Sequence, residues 1–321
     1  MGFTSFRSLW SGMAGLGSAS RWVMWRLMLV LSLMGVVACG VEQPPDEMQG
    51  LESRPQAFEE DNGLSLNGLS LNGLSLNGLS LNGLSSADFI AWFNSADGGN
   101  VAGHETLMKY LVRCAVPAGQ VRVFVNPATG VRYSWEGGMG LAPQWSSGTP
   151  ATRDEQQIIS ACLAAHANNY GVHVPISVLG KDAMGDLIPF TSQELVNFSQ
   201  REACFFGNLF IPGGALFAGN HMDALSPDQS TPRPCGLRGL GETSNPACSQ
   251  MQRIGQCHER CRLEPNGNFY SECTYNGVTY KPLTTRIRPS DVNYCGDGVC
   301  QVGESKGPGY TANSCGVDCG R

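Results

Sequence analysis

The chain contains one His-x-Asp pair, His221-Met-Asp223, which lies in a glycine-rich loop. An imidazole next to a carboxylate can act as a general base or bind a metal ion, and loops often carry functional residues. The same pair also fits an ordinary turn, which is the interpretation we favour. Glu105 and His166 are the other residues that could take part in acid–base chemistry. If the chain is an enzyme, its candidate catalytic residues are therefore His221, Asp223, Glu105 and His166.

The other histidines have structural explanations. His104 precedes Glu105 at an expected helix start, where the carboxylate complements the helix dipole and the imidazole is expected to be exposed. His166 lies on an apolar helix face and is expected to be a core residue. His173 lies on the strand face opposite its neighbouring valines, and His258 stands between two cysteines. The patterns H-E-x-x-H, P-loop and dinucleotide fingerprint are absent from the sequence, so it offers no motif of those enzyme classes.

The chain has thirteen cysteines, of which Cys39 stands apart at the end of an apolar run. The other twelve are an even number, which favours six disulfides in an oxidising compartment. Four lie near the C-terminus and are expected to pair with one another. The remaining eight divide into three before residue 205 and five after residue 234, so at least one bridge must join these halves if all of them pair. The twelve are Cys114, Cys162, Cys204, Cys235, Cys248, Cys257, Cys261, Cys273, Cys295, Cys300, Cys315 and Cys319.

The stretch Cys257-His258-Glu259-Arg260-Cys261 offers an alternative use for two of these cysteines. Two thiolates and an imidazole can bind zinc in structural sites. Export to an oxidising compartment would instead tend to convert the thiols into disulfides. We therefore expect disulfides here, with zinc as the alternative.

The C-terminal segment, residues 292–321, contains three short motifs, Cys295-Gly-Asp-Gly-Val-Cys300, Gly303-Glu304 and Cys315-Gly-Val-Asp-Cys319. Together they resemble the Cys-Gly-Asp-Gly-x-Cys-x-x-Gly-Glu repeat appended to many secreted bacterial proteins. Those repeats commonly carry another cysteine after the Gly-Glu pair, whereas this chain has Lys306-Gly-Pro-Gly there. The departure leaves four cysteines, for which two bridges suffice.

Three carboxylates of this segment are candidate calcium ligands. Bridges would bring Asp297, Glu304 and Asp318 close together, and hard oxygen ligands suit calcium. The spacing departs from that of an EF-hand loop, and carboxylates beside glycine are also common turn residues. Calcium and a turn therefore both remain open.

An apolar run of eleven residues, 27–37, follows Arg21 and Arg26 and precedes Cys39. A basic part, an apolar part and small residues in this order are typical of a secretory signal. Eleven residues are too few to cross a bilayer, which needs about 20 in a helix. The stretch Val36-Val37-Ala38-Cys39 resembles the lipobox of bacterial lipoproteins, and this resemblance implies cleavage before Cys39 and lipidation of its sulfur. An ordinary cleaved signal is the alternative.

Two unusual segments separate this signal from the rest of the chain. Residues 39–61 form an acidic stretch that contains proline, and residues 62–85 repeat Asn-Gly-Leu-Ser-Leu four times, with a partial fifth copy. Asn-Gly favours turns, and Leu-Ser-Leu alternates like a strand. A β-helix is the alternative, but so short a repeat gives too few stacked units to bury a core. We expect a signal peptide at 1–38, then a linker, and then a stalk.

Residues 86–291 mix helical and strand patterns and are numerous enough to bury one sizeable core. Apolar residues at 107, 111 and 114 share one face of a helix that ends before Pro117. Residues 121–125 and 131–135 alternate on either side of a turn and predict a hairpin.

Two capping boxes predict further helices. Thr152 with Glu155 precedes one apolar helical pattern, and Thr191 with Glu194 precedes a second that runs to residue 198. Each pair lets a side-chain oxygen accept a bond from one backbone N–H at the helix start while the glutamate bonds another. The two helix starts are therefore predicted from local chemistry alone.

A strand is expected at residues 172–178, where valine and isoleucine alternate. After Phe210, Gly, Pro, Asn and Cys dominate, so regular structure is expected to thin and bridges to hold the chain. The sequence predicts an α+β fold, with a single disulfide-rich exported domain at 86–291 that has an irregular cysteine-rich C-terminal half. A small cysteine-rich segment at 292–321 follows it.

Trp135 and Trp145 flank a glycine-rich loop after the hairpin. Exposed aromatic rings there could stack on sugars or on a protein partner, but core packing is the expected role. The basic residues Lys281, Arg286 and Arg288 are expected to form a solvated face. A net charge of −6 with dispersed Lys and Arg argues against a nucleic-acid partner.

No set of residues forms a recognisable active site. We expect no cofactor, with calcium at the C-terminal carboxylates and zinc at Cys257 and Cys261 as the alternatives. We expect a cell-envelope lipoprotein, lipid-anchored in the outer membrane and facing the periplasm or the exterior. Its disulfide-rich domain would be displayed for binding or structural duty, with the membrane and a protein or glycan as partners. An envelope-anchored hydrolase acting on glycan or peptide is the alternative.

Overall fold

The structure is a computed structural model that describes residues 59–61, 86–95, 101–168, 170, 172–240, 248 and 251–320. The predicted signal segment, Cys39 and the repeat at 62–85 lie outside the described residues. None of the helices within the described ranges is both long and apolar enough to cross a bilayer.

The described part of the chain alternates between helices and short strands. The helices are α1 Ala87–Phe93, α2 Val101–Ala115, α3 Pro143–Ser146, α4 Arg153–Ala165, α5 Ser192–Asn197 and α6 Gly316–Cys319. The first strands are β1 Glu59–Asp61, β2 Val121–Val125, β3 Arg132–Glu136, β4 Pro175–Gly180, β5 Gln200–Gly207, β6 Leu216–Asn220, β7 Gln229–Ser230 and β8 Met251–Gln256. The later strands are β9 Cys261–Leu263, β10 Tyr270–Tyr275, β11 Val278–Tyr280, β12 Leu283–Ile287, β13 Asn293–Tyr294, β14 Tyr310–Thr311 and β15 Ser314–Cys315. The predicted α+β class is confirmed.

A six-stranded sheet in the order β1-β4-β12-β5-β6-β8 forms the centre of the fold. Its neighbouring strands are antiparallel except for β6 and β8, which are parallel. Helix α4 packs against one face of β5 and β12. A smaller sheet in the order β11-β10-β9 lies against the other face, where the backbone N–H of Tyr270 donates to Oγ1 of Thr284 over 3.0 Å. The sheet is therefore covered on both sides.

Strand β5 places apolar side chains on both faces of the six-stranded sheet. Ala203 and Phe205 belong to the core on the α4 side, whereas Cys204 and Phe206 belong to the cluster beneath the small sheet. Successive side chains of a strand point to opposite faces, so this apolar run fills both layers. Strand β12 is likewise buried along its whole length. The predicted cysteine-rich C-terminal half thus also supplies a central strand of the sheet.

The start of α4 is the predicted capping box. Oγ1 of Thr152 accepts from the N–H of Glu155 over 3.2 Å, and Oε2 of Glu155 accepts from the N–H of Thr152 over 2.9 Å. Oε1 of Glu155 also accepts from the N–H groups of Gln144 and Trp145 over 2.8 and 3.0 Å. One buried carboxylate therefore holds the starts of both α3 and α4.

The other predicted elements are found close to their expected places. Helix α2 and the β2–β3 hairpin are confirmed, and α5 ends within one residue of its predicted end. The strand predicted at 172–178 begins three residues later, at Pro175, and runs to Gly180. His173 is exposed, as expected.

Two solvated roles predicted from the sequence are wrong. His104 is buried, because α1 covers it: its ring lies 4.5 Å from that of Trp92, and Nδ1 lies 3.1 Å from the Phe93 carbonyl oxygen. Arg286 is buried because β12 is a central strand. Its guanidinium donates to the carbonyl of Phe198 over 2.7 Å, at the C-terminal end of α5. A basic pattern alone did not reveal this capping role.

The twelve cysteines other than Cys39 form six disulfides. The pairs are Cys114–Cys162, Cys204–Cys257, Cys235–Cys248, Cys261–Cys273, Cys295–Cys315 and Cys300–Cys319. Cys204–Cys257 is the predicted bridge between the two halves, and the four C-terminal cysteines pair with one another as predicted. The sulfurs of Cys257 and Cys261, considered above for zinc, are both engaged in these bonds.

Candidate functional site

The four candidate catalytic residues do not form one site. Glu105 is exposed on α2, and His166 is buried at the C-terminal end of α4. His221 is buried directly after β6, and Asp223 is exposed two residues later. Among the described residues, neither ring nitrogen of His221 bonds to Asp223, whose carboxylate instead lies 3.5 Å from the side-chain amide of Gln256. The His-x-Asp pair of the sequence is therefore not a hydrogen-bonded dyad.

His221 belongs to the interface between the two sheets. Its Nδ1 lies 3.2 Å from the Tyr270 hydroxyl, and the two rings meet edge to face at 4.9 Å. Burial, followed by the positive charges of Arg201 and Arg286, lowers the pKa of His221 from 6.5 to about 4. A general base works best with a pKa near the working pH, so this environment favours a neutral packing residue.

His166 takes the core role expected for it. Its Nδ1 lies 2.8 Å from the carbonyl oxygen of Cys162, one turn earlier in α4. Its ring lies 5.5 Å from that of Tyr110, which belongs to α2. The residue therefore helps to join α2 and α4 beside the Cys114–Cys162 disulfide.

Glu105 lines a groove between α2 and the β2–β3 hairpin, which we call the α2–β3 groove. Its volume is about 610 Å³, within the range of roughly 300–1,000 Å³ that is typical of ligand sites. The lining combines carboxylates, cations, hydroxyls and one indole, from Glu105, Thr106, Lys109, Arg113, Ser134, Trp135 and Glu136. A site of this chemistry suits a ligand that carries charges and hydrogen-bonding groups.

The charged residues of α2 lie on one side of the helix and form one wall of the groove. Glu105, Lys109 and Arg113 follow one another at intervals of four residues, which places them on one side of the helix. Neither Glu105 nor Lys109 forms an ion pair with any residue that the structure describes. The opposite wall is β3, whose Glu136 is also exposed. The exposed charges of Glu105, Lys109 and Glu136 are thus available to a ligand.

A glycine-rich loop closes one end of the groove. The N–H of Met139 donates to the carbonyl of Arg113 over 2.8 Å, and the N–H of Gly138 donates to that of Val116 over 2.7 Å. A Cβ on Gly137 would lie 2.3 Å from the carbonyl oxygen of Pro117, so only glycine allows this approach. The loop therefore caps the C-terminal end of α2 and fixes the end of β3 beside it.

Trp135 also lines the groove. It is 3% exposed, its ring stacks at 5.9 Å on Tyr133, and it lies 6.1 Å from the ring of Phe93. Trp145 is 1% exposed. The core role expected for both tryptophans is confirmed, and neither is the exposed platform that sugar stacking would need.

The sequence pointed to only part of this groove. Glu105 and Trp135 were singled out for other reasons, whereas Lys109, Ser134 and Glu136 were missed. The four-residue spacing of charges on α2 was a readable signal. The proximity of α2 to β3 was not, because it depends on the loop that joins them.

The three candidate calcium ligands are engaged with backbone groups. Asp318 accepts from the N–H groups of Gly296 and Gly298, the latter over 3.0 Å. Asp297 accepts from the N–H of Val299 over 2.9 Å, as in an ordinary turn. Burial raises the pKa of Glu304, and the charges of Asp318 and Asp297 raise it further. Oε2 of Glu304 accepts from the N–H of Gln301 over 3.2 Å, so each of the three carboxylates anchors a turn.

Comparison with protein-family models, with curated proteins and with solved structures finds no match to this chain.

Proposed function

We propose that the chain is an exported cell-envelope lipoprotein, anchored through Cys39, whose disulfide-rich domain binds a protein or glycan ligand in the α2–β3 groove. The observation that carries this proposal is the use of the cysteines. Six disulfides consume every cysteine except Cys39. Disulfides of this number persist in oxidising compartments, which supports export.

The remaining cysteine, Cys39, stands at the position where a lipid would be attached. Cys39 follows an apolar run that resembles a lipobox, and more than one acyl chain would hold the protein stably in a membrane. A lipid at the amino end leaves the domain facing away from the bilayer, on a linker and a repeat. This arrangement suits a domain displayed for binding.

Membrane partition tests the anchor. The wild-type chain, produced in a bacterial host with a lipoprotein pathway, should enter the detergent phase when Triton X-114 separates. Cys39→Ser should move it to the aqueous phase while the six disulfides stay intact. If the wild type and the variant partition alike, the lipid anchor is excluded.

A second candidate function, an envelope-anchored hydrolase acting on glycan or peptide, is favoured by one observation. Glu105 and Glu136 line the same groove from opposite walls. Two carboxylates that flank a bond are the acid and base of most glycoside hydrolases. Turnover of envelope glycans by the wild type, with loss in both Glu105→Gln and Glu136→Gln at unchanged melting temperature, would support it. Absence of turnover with both envelope glycans and envelope peptides would exclude this second candidate.

A further inference from the structure

The α2–β3 groove has a free strand edge along one wall. The hairpin contains only β2 and β3, so each strand has one side without a strand partner among the described residues. Bonds at its two ends fix the pattern: the N–H of Asn126 donates to the carbonyl of Val131, and that of Gly137 to Gln120, each over 2.8 Å. Hydrogen-bonded and non-hydrogen-bonded pairs alternate along an antiparallel ladder.

This alternation decides which backbone groups face the groove. The pairs Val121–Glu136 and Val123–Ser134 lie between the hydrogen-bonded pairs of the ladder. Their own backbone groups therefore form no hydrogen bonds within the hairpin. The N–H and C=O groups of Ser134 and Glu136 therefore point away from β2. Both residues line the groove. The groove thus offers a row of backbone donors and acceptors as well as charged side chains.

The spacing of charges on α2, the opposite wall, is similar to the spacing of alternate residues in a strand. Four helical residues, such as those from Glu105 to Lys109, advance by about 6 Å. Two residues of an extended strand advance by about 6.6–6.8 Å. Alternate side chains of a strand laid along β3 would therefore meet successive charges of α2.

From this geometry we infer that the α2–β3 groove binds an extended peptide segment of a partner protein, which adds as a third strand to β3. The inference rests on the proposed function, which it deepens by naming the partner class. Strand addition uses main-chain bonds for affinity and alternate side chains for specificity. The partner carries a basic residue opposite Glu105 and an acidic residue opposite Lys109, two positions apart.

The order of these charges follows from the direction of β3. The loop that follows β3 bonds to the C-terminal end of α2, so β3 runs from the Glu105 end of the groove towards the Arg113 end. An antiparallel peptide runs the other way, and antiparallel pairing is the commoner kind. From its amino end, the peptide therefore meets Lys109 before Glu105, which gives the order acidic, any residue, basic.

A synthetic probe tests this order. Acetyl-Thr-Val-Asp-Val-Lys-Val-Thr-amide, titrated against the full mature chain in detergent by isothermal calorimetry, should bind. The charge-exchanged peptide acetyl-Thr-Val-Lys-Val-Asp-Val-Thr-amide should bind about tenfold more weakly. Glu105→Lys should lower affinity for the first probe about fivefold, and replacing Lys by Asp in the peptide should restore it. Equal or tighter binding of the exchanged peptide overturns the inference.

Backbone methylation separates strand addition from simple charge attraction. In an added strand, alternate peptide amides face β3, and the others face away. Methylating the amides of one parity should abolish binding, whereas methylating those of the other parity should leave it within about threefold. Equal effects of both, or no effect of either, would overturn the inference.

A matched pair of variants tests the strand edge in the protein itself. Ser134→Pro removes an N–H that faces the groove, and Val123→Pro removes the equivalent N–H on the far edge of the hairpin. Both keep the ladder bonds of the hairpin, and melting temperatures check that both fold. Ser134→Pro should lower probe affinity at least tenfold, and Val123→Pro should not. The methylated peptides keep the inference testable if either variant fails to fold.

Two other occupants would give different results. Binding that appears only after deletion of residues 62–85 would assign the edge to the chain's own repeat and overturn the inference. Glycan binding that survives Ser134→Pro, without peptide binding, would also overturn it while leaving the proposed function in place. Failure of the Cys39 anchor in the partition experiment would remove the anchor and leave these peptide results unaffected.

Discussion

Arg233 and Glu202 form an ion pair in which both side chains are fully buried. Nε and Nη2 of Arg233 donate to Oε1 and Oε2 of Glu202 over 2.7 and 3.0 Å. Nη2 also donates to the carbonyl of Ala165 over 2.8 Å, at the end of α4. A Cβ on Gly236 would lie 2.1 Å from Oε1 of Glu202, so the glycine leaves room for the carboxylate. The pair joins β5, α4 and the segment after β7.

We expect Glu202→Gln to lower the free energy of unfolding by about 3 kcal/mol or more, because it leaves the Arg233 charge buried without a counterion. Glu264→Gln is the matched control, since Glu264 pairs with Lys181 at 3.0 Å on the surface and should change stability little. Urea denaturation with the disulfides intact measures both. Similar small losses in the two variants would contradict a structural role for the buried pair.

The capping residues of α4 should differ in importance. Thr152→Ala removes one helix-capping bond and should cost about 1 kcal/mol. Glu155→Gln should cost about 2 kcal/mol or more. The glutamine NH2 group would face backbone N–H groups whose hydrogen bonds the wild-type carboxylate accepts. Melting curves and urea denaturation check the order. A larger loss for Thr152→Ala would show that Glu155 does not join α3 to α4.

His221 should make stability depend on pH in a defined window. Its pKa is about 4 in the folded chain and about 6.5 when unfolded, so protonation favours the unfolded state as pH falls. The stability present above pH 6.5 should decrease by about 3 kcal/mol between pH 6.5 and 4. His221→Gln should lack this part of the decrease, whereas His173→Gln, at an exposed position, should keep it.

Urea denaturation at pH 7 and pH 4 gives the required comparison. Identical pH dependence of the wild type and His221→Gln would contradict the buried neutral imidazole. Loss of a hydrolytic activity at unchanged stability would instead identify His221 as catalytic.

The C-terminal carboxylates should hold their turns without an added ion. Asp318→Ala should destabilise the segment with or without calcium, because Asp318 accepts bonds from two backbone N–H groups. Two measurements test the loss of stability. The first is the melting temperature in calcium and in EDTA, and the second is the rate at which dithiothreitol reduces the C-terminal disulfides. A calcium-dependent rise in melting temperature that Asp297→Asn and Glu304→Gln both remove would assign a calcium site instead.

Local chemistry predicted α2, α4, α5 and the hairpin well. The Thr152–Glu155 capping box and the alternation of residues 121–125 each act within a few residues, so the sequence contains the whole signal. The number of cysteines predicted a bridge between the two halves, because each half contains an odd number and a complete pairing must therefore cross between them. It could not identify Cys204–Cys257, since partner choice depends on how the sheets stack.

Features that depend on tertiary position were missed. Arg286 looked like part of a solvated basic run because Lys281 and Arg288 stand near it in the sequence, yet it lies in the middle of the sheet. His104 looked exposed because nothing local shows that α1 covers it. The His221–Asp223 pair was a candidate from its spacing, although a turn was the favoured interpretation, and the structure separates a buried ring from an exposed carboxylate.

Intact mass spectrometry of the mature chain, before and after reduction, is the most direct test of the cysteine assignment. We expect an amino-terminal Cys39 that carries acyl groups, no reaction with iodoacetamide before reduction, and twelve alkylated thiols after it. A mature chain without an acyl group, with several thiols that react before reduction, would contradict both the anchor and the disulfide framework.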